Sequence, residues 1–134
     1  MTAHRILQLN GIATALSGVA MLVARPVLYP LFGLESPLLL DAIAVGFLAY
    51  AGALIVVARQ PQVGRRSLLV FTALDALYVA ASIVIVIAFW SQFTPMARTL
   101  IVATALVVEV FATLQFRARK QVDLFKDPLR SHAV

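Results

Sequence analysis

The chain has no cysteine, and its two histidines, His4 and His132, stand in polar stretches near its ends. The first absence excludes disulfides, thiolate metal sites and thiol catalysis together. The second leaves no axial ligand for a haem held between helices. Charge is scarce as well: 13% of residues are Asp, Glu, Lys or Arg, against roughly 25% in a soluble domain. There is no Gly-rich phosphate loop, no metal-spaced His/Glu set and no nucleophile elbow. No metal and no cofactor is expected, and no motif announces an enzyme.

What fills the chain is apolar surface. Hydrophobic residues make up 62% of 134 residues, and the mean hydropathy is +0.96. With several apolar runs near ~20 residues, this defines an all-α polytopic membrane protein. One four-helix transmembrane bundle uses nearly the whole length, so a single domain, 1–134, is expected.

The spans are expected at about 6–24, 37–58, 67–89 and 95–116. Each is long enough to cross ~30 Å at 1.5 Å per residue. The first apolar run has only His4 and Arg5 before it, and the apolar stretch preceding its Ala-x-Ala site is short, so it reads as a retained helix. Ser36-Pro37 and Thr94-Pro95 repeat one device, a capping hydroxyl followed by proline at the first helical position. Between residues 25 and 36, Pro26, Pro30 and Gly33 argue against a continuous helix. With Tyr29 and Phe32, that segment is expected to be an interfacial or re-entrant element after helix one. The tail, 117–134, is polar and basic. Val122, Phe125 and Leu129 share a helical face there that suits a membrane surface, although a solvated tail fits the composition equally.

The net charge of +5 and pI near 10.5 do not point to nucleic acid, because the basic residues gather at helix ends. All Lys and Arg except Arg25 and Arg98 lie at the amino end, in the loop between helices two and three, or in the tail. Positive-inside then places both termini in the cytoplasm, in a multi-pass protein of the inner (plasma) membrane. The two halves also read alike: helix, outer connection, Ser/Thr-Pro, helix, basic residue. A parallel repeat would set Asn10 opposite Asp75 and Ser17 opposite Ser82, but any two helical hairpins look similar in an alphabet of Leu, Val and Ala.

The polar residues inside the spans carry the functional question. Asp75 lies well inside helix three, where a carboxylate costs roughly 2.5–3.5 kcal/mol on insertion scales. Glu109 on helix four falls at nearly the same depth, each about 10–12 Å from the cytoplasmic end of its helix. Asn10 and Thr14 on helix one and Tyr50 on helix two reach that layer, with Tyr78 and Ser82 further along helix three. Apart from Arg98, one turn into helix four at the outer end, no Lys, Arg or His stands within a span, so the layer is expected to hold at least one proton at neutral pH. At the outer end, Asp41, Arg98, Arg25 and Glu35 form a candidate ion-pair cluster. Gly11, Ala15 and Gly18 make a small-residue stripe that admits a second backbone.

The polar layer has a bland reading, interhelical hydrogen-bond glue worth up to about 1–2 kcal/mol per bond. Its functional reading is a non-catalytic integral membrane protein that binds a small lipophilic or cationic ligand, or a membrane partner, through the layer. One rival is a proton-linked small-molecule transporter working as a homodimer. Another is a small membrane enzyme acting on a lipid-like substrate with Asp75 and Glu109 as its acid–base pair. The expected partners are the lipid bilayer, a lipid or small lipophilic ligand, and a second copy of the chain.

Overall fold

A computed structural model describes residues 1–126, with side chains to Val122. It contains four helices: α1, Ala3–Leu31; α2, Leu38–Ala58; α3, Arg65–Ala88; and α4, Pro95–Lys126. All four are long and apolar enough to cross a membrane. α1 packs on α2 and α3 packs on α4, giving two antiparallel hairpins, and α1 also meets α4. The start of α1, the end of α4 and the α2–α3 loop lie at one end of the bundle, the termini end, and the two hairpin turns lie at the other.

Helix α1 is longer than its sequence suggests. It runs through Pro26 and Pro30 without a break, so residues 25–31 are helical and no separate interfacial segment follows at that point. The two prolines are four residues apart, and both rings are exposed on the side of α1 away from the bundle. Their fixed φ suits a helix, so each costs a hydrogen bond without disturbing the packed face. The stop comes at Gly33, whose φ of +68° allows a left-handed cap. There the Leu34 N–H reaches the Tyr29 carbonyl at 2.9 Å and the Gly33 N–H reaches that of Pro30 at 3.0 Å, a Schellman pairing.

The second departure is at the far end. α4 does not stop near Phe116 but continues to Lys126. Val122 packs against the core at the termini end, which ties the start of the basic tail to the bundle. Phe125 and Leu129, the other members of that face, lie outside the described side chains.

Of the two expected capping hydroxyls, Thr94 caps α4 as expected, whereas α2 begins one residue later than expected, with Pro37 and not Ser36 at the N-cap position. Ser36 Oγ accepts from the Leu38 N–H at 3.2 Å, although the first helical residue is Leu38 itself. Thr94 Oγ1 accepts from the Ala97 N–H at 3.2 Å and donates to the Leu31 carbonyl at 3.1 Å. That second bond joins the two hairpin turns, with Phe32 set edge-on to Phe93 at 6.0 Å.

Small residues draw the helices of the first hairpin together. A Cβ at Gly11 would stand 2.8 Å from Ile55 Cγ1 and 3.3 Å from the Ala51 carbonyl, and one at Gly18 would stand 3.1 Å from the Ala44 carbonyl. On α2 the facing positions are Ala44, Ala51 and Ala58, seven apart and all buried. At the termini end an apolar plug of Leu7, Leu54, Ala58, Val63, Leu68 and Phe71 fills the space between the hairpins. Leu7, Leu54 and Leu68 are completely buried.

Candidate functional site

The backbones of α2 and α3 stay further apart than those of the other neighbours, and the gap is bridged by side chains. Asp75, 4% exposed, is the bridge. Its Oδ1 accepts from the Tyr50 hydroxyl at 2.7 Å, and its Oδ2 accepts from Asn10 Nδ2 and from Gln115 Nε2, both at 3.0 Å. One carboxylate on α3 is thereby bonded to a side chain from each of the other three helices. Thr14 Oγ1 extends the network by donating to Asn10 Oδ1 at 3.2 Å. The Tyr50 hydroxyl has a second acceptor, the Phe71 carbonyl at 3.3 Å, and its ring meets that of Phe71 edge-on at 5.7 Å.

Helical periodicity explains the convergence. Asn10, Thr14 and Ser17 recur at four and three residues on α1, and Thr104, Val108, Phe111 and Gln115 follow the same spacing on α4. Each set forms one row on its helix. The two rows face each other across a cavity of about 390 Å³. Asn10, Tyr50 and Asp75 line one end, and the walls rise through Thr14, Ser17, Phe47, Tyr78 and Phe111. Beyond Asp75, towards the termini, the apolar plug closes the bundle. The cavity is not sealed at its sides: Leu74 and Val107 in its wall are 45% and 51% exposed.

Asn10, Thr14, Tyr50, Asp75 and Tyr78 thus share one site. Gln115 was not anticipated; it is completely buried and makes one of the three bonds to Asp75. Its Oε1 has no partner among the described residues. The available signal was its place on the row from Thr104, which its closeness to Arg117 and the basic tail obscured.

Glu109 is not brought to Asp75. It is exposed and lies in a separate apolar groove on the α3–α4 hairpin, with Val79, Ile83, Ala105 and Leu106. Equal depth does not fix azimuth, and Glu109 belongs to the Ala105 row of α4, not to the Gln115 row. Ser82 lines that groove too and donates to the Tyr78 carbonyl of its own helix at 2.8 Å.

At the hairpin end, Arg25 Nη1 meets Asp41 Oδ2 at 2.8 Å and joins α1 to α2. Both side chains are partly exposed, so the pair is worth at most about 1 kcal/mol. Arg98 does not join them: its guanidinium lies over the Trp90 ring, 4.2 Å from the centroid. Glu35 is exposed in the turn between α1 and α2.

Fold and site together define a four-helix bundle of membrane-spanning length with a side-open cavity ending on a hydrogen-bonded carboxylate. Comparison with family models, curated proteins and solved structures finds no match, so the functional argument rests on these residues alone.

Proposed function

We propose that this is a non-catalytic integral membrane protein that binds a small lipophilic molecule in the cavity, with the polar end of that molecule directed to the Asp75 network. The carrying observation is the cavity itself. At about 390 Å³ it falls within the ~300–1,000 Å³ of small-molecule sites. Its walls are apolar apart from a few converging polar groups, the usual composition of such a site. Hydrogen-bond glue alone requires the bonds and leaves the space unexplained. A catalytic reading is less supported, since Glu109, the second acid of an acid–base pair, opens on a different groove. The proposal includes residence in the plasma membrane with both termini cytoplasmic, the orientation supported by the basic residues at the termini end.

Native mass spectrometry in mild detergent tests this reading. The wild-type chain is expected to retain a small-molecule adduct, and Val107→Trp, which fills the cavity without touching the Asp75 bonds, is expected to appear bare. A wild-type chain without adduct, with a tightly packed and dry layer in an experimental structure, would leave only glue. The same spectrum reports oligomeric state. A dimer would favour the transporter alternative, because four helices alone leave little room for a translocation path.

A further inference from the structure

We infer that the cavity's ligand is a hydrophobic organic cation, and that it competes with a proton for the Asp75 carboxylate. This rests on the ligand-binding reading above and narrows it to one chemical class. Three independent features of the site converge on it.

The first is charge. Asp75 is the sole Asp, Glu, Lys, Arg or His among the residues lining the cavity. The titratable groups around it are Tyr50 from α2 and Tyr78 from its own helix. On α1, towards the termini end, they are His4, whose Nε2 meets the Gln60 carbonyl at 3.0 Å, and the exposed Arg5, both in the first turn of the helix. On α4 the nearest cation on the Gln115 side is Arg119, one turn beyond Gln115, with its guanidinium over the Phe116 ring. Glu109 opens on the other groove. An ionised Asp75 therefore faces the cavity with no counter-charge among the described residues that line it. Buried charge of this kind is neutralised by a cation or by a proton.

The second is the hydrogen-bond pattern, which accommodates either. All three side chains bonded to Asp75 can donate to it, as an anion requires. Yet the Tyr50 hydroxyl has one hydrogen and two acceptors, Asp75 Oδ1 and the Phe71 carbonyl. With Asp75 ionised, that hydrogen points to Oδ1. With a proton on Oδ1, the acid donates to Tyr50 Oη and the tyrosine hydrogen turns to the Phe71 carbonyl. No heavy atom has to move between the two states. When a cation enters, the proton on Oδ1 leaves to solvent and the Tyr50 hydrogen swings back. When the cation leaves, one proton returns, so the net charge of the site is the same in both.

The third is the wall. Phe47, Tyr50, Tyr78 and Phe111 all line the cavity, and aromatic rings attract a desolvated organic cation more than a neutral molecule of the same shape. Ala13, Leu74, Ala103, Val107 and Val108 make up most of the remaining surface, beside the hydroxyls of Thr14, Ser17 and Thr104, so the cation must carry apolar substituents.

The test compares two probes of one shape, the benzyltrimethylammonium ion and neutral neopentylbenzene, by calorimetric titration of the full chain in detergent micelles. Neither carries a titratable proton. Expected is a preference for the ammonium ion of about tenfold or more. It should grow as pH rises, with about one proton released per ion bound. Asp75→Asn should reduce the ion to the affinity of the neutral probe, and Val107→Trp should abolish binding of both. Equal affinity of the two probes at every pH would overturn the cation inference and leave the lipophile-binding reading standing. Binding of neither probe would overturn both readings. If Asp75→Asn does not fold, the pH dependence and proton count of the wild-type chain still decide.

Discussion

At Asp75 the direction of each hydrogen bond decides which replacements the bundle tolerates. Asn10 and Gln115 both present N–H groups to Oδ2, while the hydroxyl at Oδ1 can donate or accept. Asparagine fits that arrangement in one orientation, with its oxygen towards the two amides and its nitrogen donating to Tyr50 Oη. The tyrosine hydrogen then turns to the Phe71 carbonyl, as in the protonated acid. Asp75→Asn is therefore expected to fold with a stability within about 1 kcal/mol of wild type. Asp75→Ala leaves the interior amides of Asn10 and Gln115 without their acceptor, while the Tyr50 hydrogen can turn to the Phe71 carbonyl, and is expected to lose about 2–4 kcal/mol. Unfolding in mixed micelles by titration with a denaturing detergent distinguishes the two. Equal losses in both variants would show that Asp75 is not the hub of the network.

At the scale of the helix, close approach of α1 to α2 depends on what is missing from Gly11. A Cβ there already falls 2.8 Å from Ile55 Cγ1, so Gly11→Leu must push the two helices apart. A loss of about 1–3 kcal/mol is expected from such overpacking. Gly46 is a control on the same hairpin, because a Cβ at that position meets nothing within 4 Å. Gly46→Ala should be neutral or stabilising by up to about 1 kcal/mol, since glycine is the poorer helix former. The same detergent titration reads both. The contrast also marks how far the sequence was legible. The four spans, the Thr94 cap and the small-residue stripe follow from periodicity and capping chemistry, which are local and written along the chain. The continuation of α1 through Pro26 and Pro30 was hidden because a proline's cost depends on whether its ring faces a neighbour. The depth of Asp75 and Glu109 could be counted along their helices, and the counts agreed. Their separation into two grooves depends on how each helix is rotated about its axis, which packing sets. Gln115 was hidden for the same reason, its amide being indistinguishable along the chain from the polar end of the helix.

At the scale of the whole molecule, the bundle has two unlike ends, and their difference bears on how the proposed ligand would reach Asp75. The termini end carries the apolar plug with Leu7, Leu54 and Leu68 completely buried. The hairpin end is held by the Thr94–Leu31 bond and the Phe32–Phe93 contact. Between them the cavity wall includes the partly exposed Leu74 and Val107, so the proposed ligand would have its shortest route from the side, past those two residues. If the basic termini end is cytoplasmic, the plug stands between Asp75 and the cytoplasm. The absence of native cysteine makes this orientation directly measurable with single introduced thiols. Ser91→Cys, in the turn between α3 and α4, should react with a membrane-impermeant maleimide applied to intact cells. Gln62→Cys, in the loop between α2 and α3, should react only after lysis. The reverse pattern would invert the bundle, place the plug on the outer side and remove the positive-inside argument for this chain. Labelling of both sites in intact cells would mean a mixed orientation, which a single cytoplasmic plug cannot serve.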